Sequence, residues 1–344
     1  MHSESEAEGN KRILAHSLKE STSTGEVLED VSKRGKNRGW RERKLMNERL
    51  AAGYGVSVSF EHLKSRALGC STYLRFAECA TAFEGHTKKL VAANFCHLRL
   101  CPMCAWRRSL KVAAQVRLVC HTALAENPKL RFVMLTLTIP NVSGAELGAA
   151  MTHLYASFDK LLRRKETAIV RGFFRALEIT YNGERNDYHP HLHAILAVPE
   201  SYFTRDYVKR DRWLELWRES TGQPEIISVD VRSVRARREG GDALVAAAAE
   251  VAKYSVKVTD VLGKNDAETA ARVEVLHSAL FRRKLVAWGG LLKQIVQQLA
   301  LSDAESENAD LVGASLGDCR CSVCASDLIS HSYEWLSFLR EYVG

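Results

Sequence analysis

The chain of 344 residues contains no apolar run long enough to cross a bilayer, which excludes a membrane-spanning helix from the reading. It also lacks a secretory signal at its start, where MHSESEAEG is polar and acidic, so a cytoplasmic protein with no membrane partner is expected. Residues 1 to about 32, rich in Ser, Glu and Lys, lack periodic hydrophobicity and bury too little apolar surface to order themselves. A disulfide framework is excluded by compartment, not by supply: nine cysteines are present and clustered, and in a reducing cytoplasm such clusters point to metal.

What is present suits a globular protein that meets a polyanion. A hydrophobic content of 46% over this length fits one large or two ordinary domains. The net charge of +8 is concentrated rather than spread. Residues 33–44, KRGKNRGWRERK, carry seven Lys or Arg against one Glu. Shorter clusters follow at Arg107, Arg108 and Lys111, at Arg232, Arg235, Arg237 and Arg238, and at Arg282, Arg283 and Lys284. Each alone reads as a solvated face. Their repetition, with Trp40 inside the first, points to nucleic acid, and Arg107, Arg108 and Lys111 are the expected DNA contacts.

Hydrophobic patterning divides the rest. WRERKLMNERLAA (40–52) reads as a basic amphipathic helix. From Arg131 the elements alternate: strand RFVMLTLTIP, helix GAELGAAMTHLYASFDKLLRR, strand GFFRALEITYN, strand HPHLHAILAV, helix RDYVKRDRWLELWRES, strand EIISVDVRSV, then a long helix DALVAAAAEVAKYSVKV capped by Asp242. This β-α-β-β-α-β-α order predicts an α+β fold, a ferredoxin-like split βαβ sheet with its helices on one face. Beyond Asp260 the chain reads as helical, with an acidic linker, SDAESENAD, before a tail bearing Cys319, Cys321 and Cys324.

Five cysteines fall within residues 66–110. In CHLRLCPMC, Cys101 and Cys104 have the two-residue gap that lets both thiolates reach one tetrahedral Zn²⁺. Cys96 is the third ligand, and the fourth is open among Cys70, Cys79 and His97, with Cys70 favoured. The alternative is a set of small buried core residues. A second site from Cys319, Cys321, Cys324 and His331 rests on spacing alone.

The stretch NDYHPHLHAILAV (186–198) places His189, His191 and His193 on one strand face, with Leu192, Ala194 and Leu196 on the other. The strand 172–181 precedes it across the short polar loop NGERNDY, so the two form an antiparallel hairpin that brings Glu178 opposite His191 to His193, register deciding which. Glu178, His191 and His193 then make a three-ligand site for a divalent cation. Further on, Glu250, Tyr254 and Lys257 share a face of the expected long helix. From there the Tyr254 oxygen is placed to attack a metal-polarised phosphodiester, and Lys257 to neutralise its charge.

In FVMLTLTIPN (132–141), LEITYN (177–182) leading into HPHLHAIL (189–196), EVAKYSVK (250–257) and NFCHLRLCPMCAWRRSLK (94–111), the chain resembles the one-tyrosine rolling-circle replication initiators of small bacterial plasmids, a branch of the HUH endonuclease superfamily. The resemblance implies a ferredoxin-like, RRM-like HUH nuclease domain with a central antiparallel sheet, flanked by a Cys-rich N-terminal region and a helical C-terminal region. On this reading residues 1–45 are a disordered basic and polar segment, 46–125 a zinc-stabilised Cys-rich region, 126–262 the HUH endonuclease domain, and 263–344 a helical region with a Cys-rich tail. The resemblance further implies that His191 and His193 bind Mg²⁺ or Mn²⁺ and that Tyr254 forms a 5′-phosphotyrosyl link. Glu250 would activate water at termination. Glu178 enters as third ligand, and His189 joins the set without a defined part. Plasmid origin DNA, as duplex and as a single-stranded or hairpin nick site, is the implied partner, with host helicase and polymerase. Two rivals are a histidine-triad nucleotide hydrolase and a catalytically silent zinc-containing DNA-binding regulator.

Overall fold

The computed structural model describes residues 19–20, 25–32, 35–79, 88–234, 243–252, 256–313 and 328–344. In chain order the first elements are β1 (Lys19–Glu20), α1 (Trp40–Val56), α2 (Lys64–Leu68), β2 (Tyr73–Cys79), β3 (Lys89–Ala93), α3 (Pro102–Glu126) and β4 (Leu130–Thr138). There follow α4 (Leu147–Leu162), β5 (Gly172–Asn182), β6 (Asp187–Pro199), α5 (Arg210–Thr221), β7 (Asp230–Ser233) and α6 (Ala243–Val251). The last are α7 (Val258–Val261), α8 (Asp266–Leu280), β8 (Val286–Gly289), α9 (Gly290–Gln298), β9 (Leu328–Leu336) and β10 (Glu341–Val343). These make two compact units: one from Met1–Val56, Phe60–Arg107 and Asp310–Gly344, the other from Ser57–Ser59 and Arg108–Ala309. The fold is α+β, and no helix among the described residues is long and apolar enough to cross a membrane.

In the second unit a wholly antiparallel sheet runs in the order β7-β4-β6-β5-β8. Its first four strands have the split βαβ order expected from the alternation of elements, since β6 returns between β4 and β5. The expectation that helices cover one face is corrected: they cover both. On one face Phe132, Phe174, Ile195 and Ala197 pack against Val116 of α3, Ala248 of α6 and Leu292 of α9. On the other, α4 buries Met151, Leu154, Phe158 and Leu161 at helical spacing, with Phe158 edge-on to Phe173 at 5.1 Å. The reason lies in β6, where every residue from Leu192 to Val198 is buried. A strand buried at both parities needs an apolar layer on each side.

In the first unit β9 is the organising strand, bonded along one edge to β2 and along the other to β1 and β10. Trp40 stands edge-on to Phe76 at 5.5 Å and to Trp106 at 4.7 Å. Trp40 is thus core, its indole N–H donating to Asp30 at 2.8 Å, which corrects its reading as a nucleic-acid contact.

The helical reading of residues 263–344 is corrected too. Helices α8 and α9 are there, but so are β8, β9 and β10. Along one whole edge β9 pairs with β2, far earlier in the chain, and a local pattern carries no sign of a pairing at that separation.

Candidate functional site

The β5–β6 hairpin fixes the site. Asn182 Oδ1 accepts the backbone N–H groups of Glu184 and Arg185 at 3.0 and 3.1 Å. Asn186 closes the turn at φ +54°, a left-handed conformation that asparagine tolerates. With Asn182 paired to Asp187, the register puts Glu178 directly opposite His191, and Thr136 of β4 opposite His193.

His191 Nε2 and His193 Nε2 both meet Glu178 Oε2, at 3.1 and 2.7 Å. The remaining ring nitrogens are engaged as well: His191 Nδ1 lies 3.2 Å from the His189 carbonyl oxygen and His193 Nδ1 lies 3.1 Å from Thr136 Oγ1. That leaves two Nε2 atoms and a carboxylate oxygen within 4.8 Å of one another, a two-histidine, one-carboxylate donor set oriented by outer contacts, which fits a divalent cation. Burial pushes the Glu178 carboxyl up, but hydrogen bonds and charge from His191 and His193 outweigh it and hold the group well below the usual carboxylate range. The ring of His189 is not among these converging donors, and its carbonyl oxygen lies against His191 Nδ1. Thr136 was missed in sequence, although a threonine at an inward-facing position of an apolar strand was the available signal.

Lys257 reaches the same carboxylate, with Nζ 3.6 Å from Glu178 Oε1. The expected long helix is corrected: α6 ends at Val251, Val256 forms a parallel bridge with Ile179, and Lys257 is extended at φ −69° and ψ 142°. Glu250 and Lys257 therefore do not share a helical face. Val256, β-branched, suits the extended pairing with Ile179, and a new helix, α7, begins only at Val258. Glu250 lies on α6, within electrostatic reach of Arg232. Tyr254 lies outside the described residues, as do Asp242, Arg235, Arg237 and Arg238.

In the first unit Cys70 precedes β2, Cys96 follows β3, and Cys101 and Cys104 flank the start of α3. All four are buried, and their sulfurs approach to 3.5–3.6 Å. A tetrahedron with Zn–S bonds of about 2.3 Å has edges of about 3.8 Å, so the cluster is close to the size of one mononuclear ion. Burial pushes the Cys101 and Cys104 thiols well up, while hydrogen bonds from Cys101, Cys104 and Cys96 pull Cys70 well down. A cluster of this kind ionises completely only around a cation. Cys319, Cys321 and Cys324 lie outside the described residues, and His331 instead pairs with Glu78 at 2.8 Å.

Arg107 holds a distant segment of its own unit. Its guanidinium donates to the carbonyl oxygens of Leu311 and Val312 at 2.8 and 2.5 Å and lies 5.4 Å from the Trp106 ring; burial and the nearby Arg38 lower its pKa to about 10. It ties the first unit together while remaining half-buried. Arg108 and Lys111 are half-buried on α3.

Residues 87–342 match the family described as replication protein, Rep_1. A "Protein rep" of Streptococcus pneumoniae serotype 2 (strain D39 / NCTC 7466) is 40% identical over 293 residues, 84% of this chain and 88% of the relative. One from Lactiplantibacillus plantarum is 39% identical, covering 83% of this chain and 89% of its own, and one from Bacillus amyloliquefaciens is 35% identical over 341 residues, 92% and 97% of the two chains. No solved structure matches. The matched span contains the Glu178, His191 and His193 centre and three of the four clustered cysteines, so the chain belongs to the Rep_1 family of replication proteins and is a rolling-circle replication initiator, as the resemblance of its motifs implied.

Proposed function

We propose that the chain initiates plasmid replication by nicking one strand of origin DNA through Tyr254. Its phenolic oxygen attacks the scissile phosphate, the P–O3′ bond breaks, and the products are a 5′-phosphotyrosyl link and a 3′-hydroxyl that primes synthesis. Glu178, His191 and His193 would hold Mg²⁺ or Mn²⁺, which when bound polarises the phosphate. Lys257, beside Glu178, offsets charge at the reacting phosphoryl group. Glu250 serves a later step, activating water to resolve the adduct at termination. Cys70, Cys96, Cys101 and Cys104 would hold a structural Zn²⁺. Arg108 and Lys111 contact the DNA, and host helicase and polymerase extend the product.

The observation that carries this reading is the bridge between Val256 and Ile179. It sets the chain two residues beyond Tyr254 against the neighbour of Glu178, and two residues span at most about 7 Å. A phenol with a pKa near 10 gains from such a location, because a cation and Lys257 favour its anion. Incubation of the chain with labelled single-stranded origin oligonucleotides and Mn²⁺ should give a covalent adduct mapping to Tyr254. Tyr254→Phe should abolish the adduct while leaving duplex binding intact, and undiminished nicking by that variant would sink the mechanism. Glu250→Ala should still form the adduct but accumulate it; an equal loss of the first cleavage would make Glu250 a ligand or a structural residue.

A further inference from the structure

Lys44 is 1% exposed, on the buried face of α1. Its ammonium donates to the carbonyl oxygens of Leu68 at 2.6 Å and Cys70 at 2.8 Å. Three residues on, Asn47 Nδ2 donates to the Ala67 carbonyl oxygen at 2.6 Å, so two polar side chains of one helix clamp the segment that leads into Cys70. For Asn47 that contact is a sufficient reason to be buried. For Lys44 it is not, because stripping water from an ammonium costs far more than two carbonyl hydrogen bonds return. Among the described residues no carboxylate forms an ion pair with it. The nearby Glu48 carboxylate accepts the Trp335 indole N–H at 2.7 Å. The ammonium lies within electrostatic reach of Cys70 first, then of Glu48, Cys101 and Cys96, so three of the four groups acting on it belong to the cysteine cluster.

Four thiolates around one divalent ion leave two excess negative charges in a buried place. Backbone N–H groups take up part of this: His97 N–H points to Cys104 Sγ at 3.2 Å and Cys96 N–H to Cys70 Sγ at 3.4 Å. We propose that Lys44 is the built-in counter-cation of the four-cysteine centre, resting on the zinc reading given above: its buried ammonium, hydrogen-bonded to the Cys70 carbonyl oxygen at 2.8 Å, offsets one excess negative charge of the four-sulfur site. Without it that buried negative charge is uncompensated, and the metal leaves faster. Lys44 is a positioning and charge-compensating residue here, not a ligand.

The test uses the full chain purified without added metal. Zinc is quantified by elemental analysis, and its transfer to excess EDTA is timed for the parent, Lys44→Met, Lys44→Arg and Asn47→Ala, with circular dichroism confirming that each is folded. The parent should carry about one zinc per chain. Lys44→Met should release zinc about tenfold faster or more. Lys44→Arg, which keeps the charge, and Asn47→Ala, which loses the clamp but no charge, should stay within about threefold of the parent, although Asn47→Ala melts earlier. A folded Lys44→Met that keeps the parent rate overturns the counter-cation role and leaves the zinc reading standing. A parent chain without zinc overturns both. Where Lys44→Met does not fold, the other two decide: release from Lys44→Arg or Asn47→Ala about tenfold faster than the parent makes the clamp geometry, not the charge, what retains the metal.

Discussion

Thr136 does for His193 what the His189 carbonyl does for His191: each holds the nitrogen that faces away from Glu178. Thr136→Val swaps that hydroxyl for a methyl of similar shape, so the Mn²⁺ concentration for half-maximal nicking should rise about tenfold or more. A titration superimposable on the parent's would release Thr136 from the role. Glu178 has a pH consequence of its own. Its carboxyl is lowered in the fold, so its contribution to stability is fully present above the unfolded value of about 4.3 and is lost as pH falls through the lower folded value. Metal-free Glu178→Gln should therefore show a flatter loss of stability than the parent below about pH 4; parallel acid-unfolding curves would contradict this. Cys120, pushed up to about 12 by burial, should resist iodoacetamide in the folded chain at pH 8, as peptide mapping will show. Much of this site was legible: alternation gave the histidine row, the short polar loop brought Glu178 across, and the two-residue gap at Cys101 and Cys104 marked a thiolate cluster. Lys44 was not legible, because a lysine among seven basic residues looks solvated until its helix face is known. The bonds of Arg107 to Leu311 and Val312 were hidden for the same reason.

Between elements, the strand β8 turns straight into α9 through Gly289 and Gly290. Gly290 sits at φ +54°, and a Cβ there would come 2.3 Å from the Arg171 carbonyl oxygen. Gly290→Ala should cost at least about 1–2 kcal/mol, read as a lower denaturation midpoint with an unchanged slope. At the start of α8 Asn265 Oδ1 accepts the Glu268 N–H at 2.9 Å, and Glu268 Oε2 accepts the Lys264 N–H at 2.9 Å. Asn265→Ala should then cost about 1 kcal/mol; no shift in the thermal midpoint would mean that α8 is held by packing alone. Elements β4 through β7 could be placed from the sequence because their periodicity is local. The predicted strand 172–182 coincides with β5. The end of α6 escaped notice because the alanine-rich run before it has strong helix propensity, and the bridge of Val256 to Ile179 is a tertiary contact that propensity does not record.

For the molecule as a whole, each unit is assembled from segments that are not contiguous. A chain stopped after Ala309 keeps every segment of the second unit and loses β9 and β10 from the first. Hydrogen exchange should then show β4, β5 and β6 still protected while β2, β3 and the Cys70 segment exchange freely. Protection of β2 in that shortened chain would mean that the first unit stands without its organising strand. The position of β9 in the sheet also acts in time. Between Cys79 and Leu328 a ribosome adds about 250 residues, which at about 5–20 residues per second takes roughly 12–50 s. Throughout that interval β2 waits with one edge unsatisfied, while the strands that carry Glu178 and the histidines emerge with all their partners close behind. The sheet of the second unit can therefore close first, and the four-cysteine unit becomes complete only once β9 has been made, so a nascent chain passes through a stage with Glu178, His191 and His193 in place and its first unit still open.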